Sequence, residues 1–567
     1  MRRCVIPRSS MILPRQLPRT SRHTLQRPLT SLSKPFKPNL HPSRRPQTHT
    51  PCHVVLSSST YTIVGVALCT ALLGAVTVIY QKPQPASTHP FPGSETEELK
   101  TSEEMAAVAG TPQPGRPGNL TAEQELKLKE FWSTLLHIFG VSDPADVSNG
   151  DADSINSQAR TNVAGAEKKK SKKRGLFGRK TNADTGVDGV AEGDDKYGQV
   201  KEFHTLLDKQ SPEELRKAFW SMVKHDNPDG LLLRFLRARK WNVQNALVML
   251  MATIHWRLEE VKVDVEIVKR GEGGALEDSK SADAAVKREG VDFLTQMRMG
   301  KSFLHGTDKE GRPMCFVRVR LHKQGEQTET SLERYTVYTI ETARLLLSGN
   351  VDTACIVFDM TDFSMANMDY APVKFMIKCF EANYPESLGV VLVHKSPWIF
   401  NAVWKIIKGW LDPVVASKVH FTRNLDELAE FVALDHIPHE EGGKDPWTYN
   451  YVGPVSGENA KMDNDDFREK LMEGRRKVVR EYEAVTQHWM HSTGSSEVVE
   501  RRKALTEELR AGYWELDPYV RARTFYDRTG MIRFGGGVQF YPPTETQAAP
   551  MANGGAIPAG HTDDGVD

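Results

Sequence analysis

The chain has 567 residues, 39% of them hydrophobic and 26% charged, the balance of an ordinary soluble protein. That composition excludes a multi-span membrane protein, a collagen and a wholly disordered chain. The net charge of +1 is uneven: residues 1–94 carry nine Arg, three Lys and no acid, so residues 95–567 carry −11, which argues against a nucleic-acid partner.

Residues 1–60 form a basic arm with nine prolines by position 51, too poor in apolar surface to offset chain entropy. Its Arg and Ser content resembles a mitochondrial presequence, although its prolines would break an amphipathic helix. Tyr61–Tyr80 is uncharged throughout. At 1.5 Å rise per residue it spans about 30 Å, one hydrocarbon core, and is expected to be a transmembrane helix if it is translated. The competing reading is an over-extended gene model with translation beginning at Met105. Residues 81–120 read as a linker. Thr121–Gln124 is a T-x-x-Q capping box, and Leu128, Trp132, Leu135 and Phe139 recur at helical spacing, which predicts an amphipathic helix within 121–140. Residues 141–198 read as a disordered linker. Its basic patch (Lys168, Lys169, Lys170, Lys172, Lys173, Arg174, Arg179 and Lys180) would suit an anionic membrane surface or a nuclear signal.

Order resumes at 200. Ser211-Pro212-Glu213-Glu214 caps one helix, and Asn227-Pro228 starts another with Leu232, Phe235 and Leu236 inward. Asn242 caps a third, with Val243, Leu247, Leu250 and Ile254 on one stripe. Residues 200–260 are therefore a small helical domain, and 262–290 read as a charged, glycine-containing loop. Strands are predicted at Pro313–Leu321, Ala354–Asp359, Gly389–His394 and Val419–Thr422, separated by helices at 331–348, 367–383, 398–411 and 425–434. That alternation predicts an α/β domain with a mostly parallel sheet over 290–446. Residues 447–540 read as a helical, then aromatic extension that wraps the core, and 541–567 as a disordered tail.

Catalytic motifs are missing: there is no GxSxG elbow, Walker A or HExxH. No catalytic residue, metal or cofactor is expected. His436 and His439 bracket Ile-Pro without further ligands, and Asp359 and Asp362 are assigned to turn capping. The six cysteines (4, 52, 69, 315, 355 and 379) have no CxxC spacing, which fits a reducing compartment. Residues 398–411 (WIFNAVWKIIKGWL) stand out. One stripe is Phe400, Trp404, Ile407 and Leu411; a second is Ile399, Val403, Ile406 and Trp410. Two readings remain open from spacing: a lid over an apolar cavity that meets bilayers when open, or a core helix packed on two sides.

Leu232–Val243 (LLRFLRARKWNV) resembles the amino-terminal helices of the CRAL-TRIO lipid-transfer family. His305–Pro313 (HGTDKEGRP), Asn383–Glu386 (NYPE) and Leu411–Lys418 (LDPVVASK) are similar to further signatures of that family, in the same order. FEANYPESL at 380–388 with KSPWIFN at 395–401 is most similar to the divergent fungal phosphatidylinositol transfer proteins of the Csr type. The resemblance implies a CRAL-TRIO fold: a helical amino-terminal subdomain, then a mostly parallel sheet flooring a lipid pocket. It also implies a helical gate bearing Trp398, Phe400, Trp404, Ile407, Trp410 and Leu411. It assigns the phosphatidylinositol headgroup to Arg239, Lys240, Glu386 and Lys418, where cations would meet the phosphodiester and the carboxylate the inositol hydroxyls.

The chain departs from the pattern of phosphatidylcholine carriers, whose two Tyr, Ser and Thr are replaced here by Leu304, Cys315, Ala354 and Ile356. A phosphate there would lose roughly 1–3 kcal/mol per missing hydrogen bond. Phosphatidylcholine is therefore expected to bind poorly, with a neutral apolar lipid such as a sterol precursor as an alternative guest. Ser387 and Val415 are further departures. The resemblance implies a non-enzymatic phosphatidylinositol-binding and transfer protein with no cofactor besides its lipid. Its partners would be membranes, phospholipid and a phosphoinositide kinase. Its place would be cytoplasmic and peripheral to membranes, or single-pass if 61–80 is translated. The alternative is a membrane-anchored tether or scaffold whose pocket only senses lipid.

Overall fold

The computed structural model describes residues 112–141, 195–492 and 495–541. The basic arm, the apolar run 61–80, the basic patch and the tail beyond 541 lie outside the described residues. Among those described, no helix is long and apolar enough to cross a membrane.

Local capping chemistry sets the amino-terminal helices. The Thr121 box starts Ala122–Ile138, and Ser211 with Glu214 starts Pro212–Met222. Asn227 and Asn242 cap Pro228–Ala238 and Val243–His255. Together with Gln199–Lys209 these helices bury Trp132, Phe219, Phe235 and Leu250 in one core. Two long carboxy-terminal helices, Asp465–His491 and Ser496–Val520, complete the same core with Tyr482, Trp489, Leu505 and Leu509. Asp229, in the first turn of Pro228–Ala238, clamps them: Arg502 donates to it through Nη1 and Nη2 at 2.9 and 2.8 Å. Trp132 Nε1 donates to the same carboxylate at 2.7 Å.

Residues 262–290 are not a loop. After the π-helical turns Trp256–Glu260 and Val263–Lys269, the chain forms helices Gly271–Asp278 and Ala284–Met299. The glycines mark close helix packing instead. A Cβ at Gly290 would lie 2.5 Å from the Ser279 nitrogen and 2.6 Å from the Ala275 carbonyl oxygen.

Five strands follow: β1 (Ser302–Thr307), β2 (Pro313–Arg318), β3 (Ala354–Asp359), β4 (Leu388–His394) and β5 (Val419–Thr422). They pair in the order 1-2-3-4-5; the first pair is antiparallel and the rest parallel. Side chains alternate between faces. Phe303, Met314, Phe316, Cys355, Val357, Val390 and Leu392 pack toward Leu428, Val432 and Ile437. Leu304, Cys315, Ile356 and Val391 face the other way.

His394 ends β4 at 0% exposure, with its Nδ1 2.9 Å from Thr422 Oγ1. Burial, with Lys395 beside it, pushes its imidazole down from 6.5 to about 4. Between those values the unfolded chain binds the proton and the folded protein does not, so stability falls as pH falls through that window. Denaturation midpoints measured from pH 7 to 4.5 should decline less steeply for His394→Gln than for the parent; parallel declines would clear His394 as a cause.

Candidate lipid-binding site

The sheet face bearing Ile356 and Val391 floors a cavity of about 220 Å³. For scale, a dry apolar cavity of about 150 Å³ already takes up benzene. Phe358, Val393 and Val419 extend the floor, and Val373, Met376 and Ile377 of helix Tyr370–Lys378 form a wall. The helix Phe400–Lys408 is the lid. Phe400, Trp404, Ile407 and Leu411 line the cavity, one complete stripe of the apolar segment.

The second stripe divides. Val403 is buried, but Ile399 and Ile406 are exposed, and Trp398 is 84% exposed. Trp410 meets the ring of Tyr370 edge-on at 5.3 Å, with the Lys374 ammonium 4.8 Å from its centroid. The segment thus covers the cavity with one stripe, packs Phe400 and Val403 into a buried cluster with Met360, Phe363 and Val393, and leaves Trp398, Ile399 and Ile406 on an apolar outer surface.

The residues assigned to the headgroup are partly brought together. Glu386 lies two residues before β4 and Lys418 one before β5, and Lys418 Nζ lies 3.6 Å from Glu386 Oε2, both side chains partly exposed. None of Arg239, Lys240, Glu386 and Lys418 is among the residues that line the cavity, although Leu388, Val415 and Val419, close to Glu386 and Lys418 in the chain, are. Glu386 takes a left-handed φ of +53°, and its carbonyl accepts from Arg234 Nη1 at 2.9 Å. Arg239 donates to Gln199 Oε1 at 2.7 Å, and Gln199 Nε2 donates at 3.3 Å to the carbonyl of Ala382 in the FEANYPES segment. Lys240 is exposed at a φ of +50°. Sequence reasoning passed over Arg234 and Arg237 in the same LLRFLRAR run. Arg237 pairs with Asp352 at 3.2 Å, and burial pushes its guanidinium down to about 10. Their alternation with leucines was the available signal.

Of Leu304, Cys315, Ala354 and Ile356, only Ile356 lines the cavity. Leu304 and Cys315 share its sheet face but lie in a buried cluster with Tyr335, Phe525 and Tyr526. The Leu304 N–H donates to the Tyr526 hydroxyl at 2.9 Å. Aromatic residues of the carboxy-terminal extension therefore occupy the end of the sheet where the sequence placed a lipid contact. Ala354 is half-buried opposite Leu388 in the sheet.

Tyr384 of the NYPE segment is fixed from beneath. Its hydroxyl donates to Glu341 Oε1 at 2.7 Å, in a buried network with Lys224 (2.5 Å), Arg257 (2.7 Å) and Arg344 (3.2 Å). Elsewhere, Glu202, His255 and Glu260 bring ligand atoms within 4.8 Å of one another, but Lys378 Nζ lies 3.8 Å from Glu260 and supplies positive charge there. His436 Nδ1 lies 3.0 Å from the Thr307 carbonyl oxygen, and its ring stacks on Tyr541. Asp359 accepts from the Thr361 N–H at 2.9 Å, a turn-capping contact.

Comparison with known proteins agrees with this geometry. The profile of the CRAL/TRIO domain matches residues 297–443, and that of the CRAL/TRIO, N-terminal domain matches 199–252. The chain is 44% identical over 426 residues to CRAL-TRIO domain-containing protein C3H8.02 of Schizosaccharomyces pombe, covering 74% of this chain and 92% of that one. It is 38% identical over 451 residues to phosphatidylinositol transfer protein CSR1 of Eremothecium gossypii, covering 75% and 99%. It is 27% identical over 231 residues to the Sec14 cytosolic factor of Schizosaccharomyces pombe, covering 38% and 74%. With its helical subdomain, sheet-floored cavity and helical lid, the chain belongs to the CRAL-TRIO family.

Proposed function

We propose that the protein encloses one phosphatidylinositol molecule and exchanges it with membranes. The observation that carries this is the apolar cavity beneath Phe400–Lys408, lined by Leu388 and Val419, with the Glu386–Lys418 pair close by in the chain. Two acyl chains bring about 30 methylenes, worth about 0.8 kcal/mol each on leaving water. A bilayer supplies the same gain, so exchange between the two is nearly neutral and headgroup contacts select the ligand. Lys418, Arg239 and Lys240 offer charge-assisted donors to a phosphodiester, and Glu386 accepts from inositol hydroxyls. A relative 38% identical across three-quarters of the chain is a phosphatidylinositol transfer protein.

The lid's outer face supports the membrane step. Trp398, Ile399 and Ile406 are exposed beside Lys405 and Lys408, a combination suited to an anionic interface. No bond is broken in this cycle, so the protein acts as a carrier rather than an enzyme, with the lipid as its ligand and no cofactor. It works at the membrane periphery, delivering lipid to an acceptor bilayer or to a phosphoinositide kinase there.

The test is transfer of radiolabelled phosphatidylinositol between donor and acceptor vesicles. Glu386→Ala combined with Lys418→Ala is expected to lower the exchange rate at least about ten-fold, as the loss of a charge-assisted contact requires, while vesicle association persists. Unchanged exchange with lost association would favour a tether. Phosphatidylcholine exchange as fast as that of phosphatidylinositol would remove the headgroup selectivity.

A further inference from the structure

A cluster of metal-ligating side chains lies in the helical subdomain, outside the cavity. Glu202 stands in Gln199–Lys209, His255 ends Val243–His255, and Glu260 ends the π-helical turn Trp256–Glu260. Each offers one ligand atom within 4.8 Å of the other two, and none of the three lines the cavity. The π turn assembles the cluster. At the α-helical pitch, residues five apart point about 140° away from each other. The i→i+5 bond of this turn, from the Val261 N–H to the Trp256 carbonyl at 3.0 Å, widens the helix and brings His255 and Glu260 to one side. The helix Gln199–Lys209 shares a core with Val243–His255 through Phe203 and Leu206, which carries Glu202 to the same place.

Neither the imidazole nor the acids are fully met by the protein. His255 Nδ1 is a buried atom with no hydrogen-bond partner among the described residues. Glu260 Oε1 is 3.8 Å from it, beyond hydrogen-bond distance. Burial, with Glu260 close by, pushes the Glu202 carboxyl up to about 7, against the pull of Lys378. Two carboxylates at this range need a proton or a cation between them. The charged groups bearing on Glu202 are Glu260, Asp195 and Lys378, so the acids outnumber the ammonium. Lys378 Nζ lies 3.8 Å from Glu260 Oε2, and its side chain is 34% exposed, which leaves it free to turn out to water.

A proton shared by the two carboxyl groups leaves the imidazole nitrogen unmet, and a water molecule brings no charge to the acids. A divalent cation satisfies all three groups. One imidazole nitrogen with two carboxylate oxygens suits Zn²⁺, whose bonds to such ligands are about 2.0–2.2 Å. Ca²⁺ and Mg²⁺ favour oxygen shells of about six or more ligands, and an imidazole does not belong to them. We propose that Glu202, His255 and Glu260 form a divalent-metal site of the zinc class, with Lys378 as the cation that holds the place when the metal is away. Three protein ligands leave the fourth position of a tetrahedral ion to water, so the ion is exchangeable. It ties the end of Val243–His255 to Gln199–Lys209 and takes no part in enclosing lipid.

The test is equilibrium dialysis of the full chain, stripped with chelator, against radioactive Zn²⁺ in excess Mg²⁺. The parent is expected to bind one more Zn²⁺ per chain than His255→Gln. The count is taken by difference because the cysteines and histidines of residues 1–94 offer further ligands. Glu202→Gln should weaken that site at least about ten-fold, since losing even an outer partner of a ligand costs that much. Lys378→Ala should tighten it about three- to ten-fold by removing a competing charge, a gain that an unfolded variant could not show. If His255→Gln does not fold, the Lys378→Ala gain decides alone. Equal uptake by the parent and a folded His255→Gln would assign the metal to adventitious ligands and overturn the site. Full competition by equimolar Ca²⁺ or Mg²⁺ would overturn the zinc class. Unchanged affinity in Lys378→Ala would overturn the part given to Lys378.

Discussion

Glu341→Ala is expected to destabilise the protein by about 3–5 kcal/mol, the cost of leaving buried charges uncompensated. Glu341 sits in helix Glu329–Leu345 and is the common partner of three cations. Lys224 and Arg257 come from the amino-terminal helical region and the turn that follows it; Arg344 comes from the same helix as Glu341. Asp226, 2.7 Å from Arg344, and Asp264, 3.4 Å from Arg257, complete a charge-balanced set. Burial opposes the charged carboxylate, yet Arg257, Lys224 and Arg344 together hold the Glu341 carboxyl well below the usual carboxylate range. Removing it leaves a surplus of positive charge in a site closed to water and takes away the acceptor of Tyr384. Urea denaturation measures the effect. A loss below about 1 kcal/mol would show that the two aspartates can satisfy the cations without it.

The second large effect is on exchange rather than on folding. Val391 lies at the centre of the cavity floor, in register with Ile356 on one side and Val419 on the other. In Val391→Trp the indole would enter open volume, so the denaturation midpoint should change little while phosphatidylinositol exchange falls at least ten-fold. Its chain neighbour Leu392 points through the sheet into packing with Leu428, Val432 and Ile437. Leu392→Trp should instead destabilise by about 1–3 kcal/mol, as overpacking a filled core does. Equal behaviour of the two variants would mean that the two faces of the sheet are equally filled and that no lipid chamber exists above Val391.

The contrast between these neighbours also explains what was legible in the sequence. Features decided by adjacent residues were readable: the caps at Thr121, Ser211, Asn227 and Asn242, the ends of β3 and β5, and the lid stripe at Phe400, Trp404, Ile407 and Leu411. β1 escaped the pattern search because His305 and Gly306 interrupt its apolar run, and only tertiary packing makes His305 a core residue, stacked on Trp447 at 3.9 Å. Gly290 signalled a loop but serves a helix contact, because a glycine reports the space it needs and not the element it belongs to. The Glu386–Lys418 pairing was readable through resemblance, since both sit in recognisable signatures. The screening of Leu304 by Tyr526 was not, because the two are 222 positions apart.

The Asp229–Arg502 clamp has a consequence for biosynthesis. The two residues are 273 positions apart, and a translating ribosome adds about 5–20 residues per second. Roughly 15–55 s therefore separate the emergence of the first half of this bundle from that of the hairpin that closes it. During that interval the nascent polypeptide carries a half-built apolar surface, including Trp132 and Phe219, so the amino-terminal helices reach their final packing only after synthesis is nearly complete, and the cell must shield them until then.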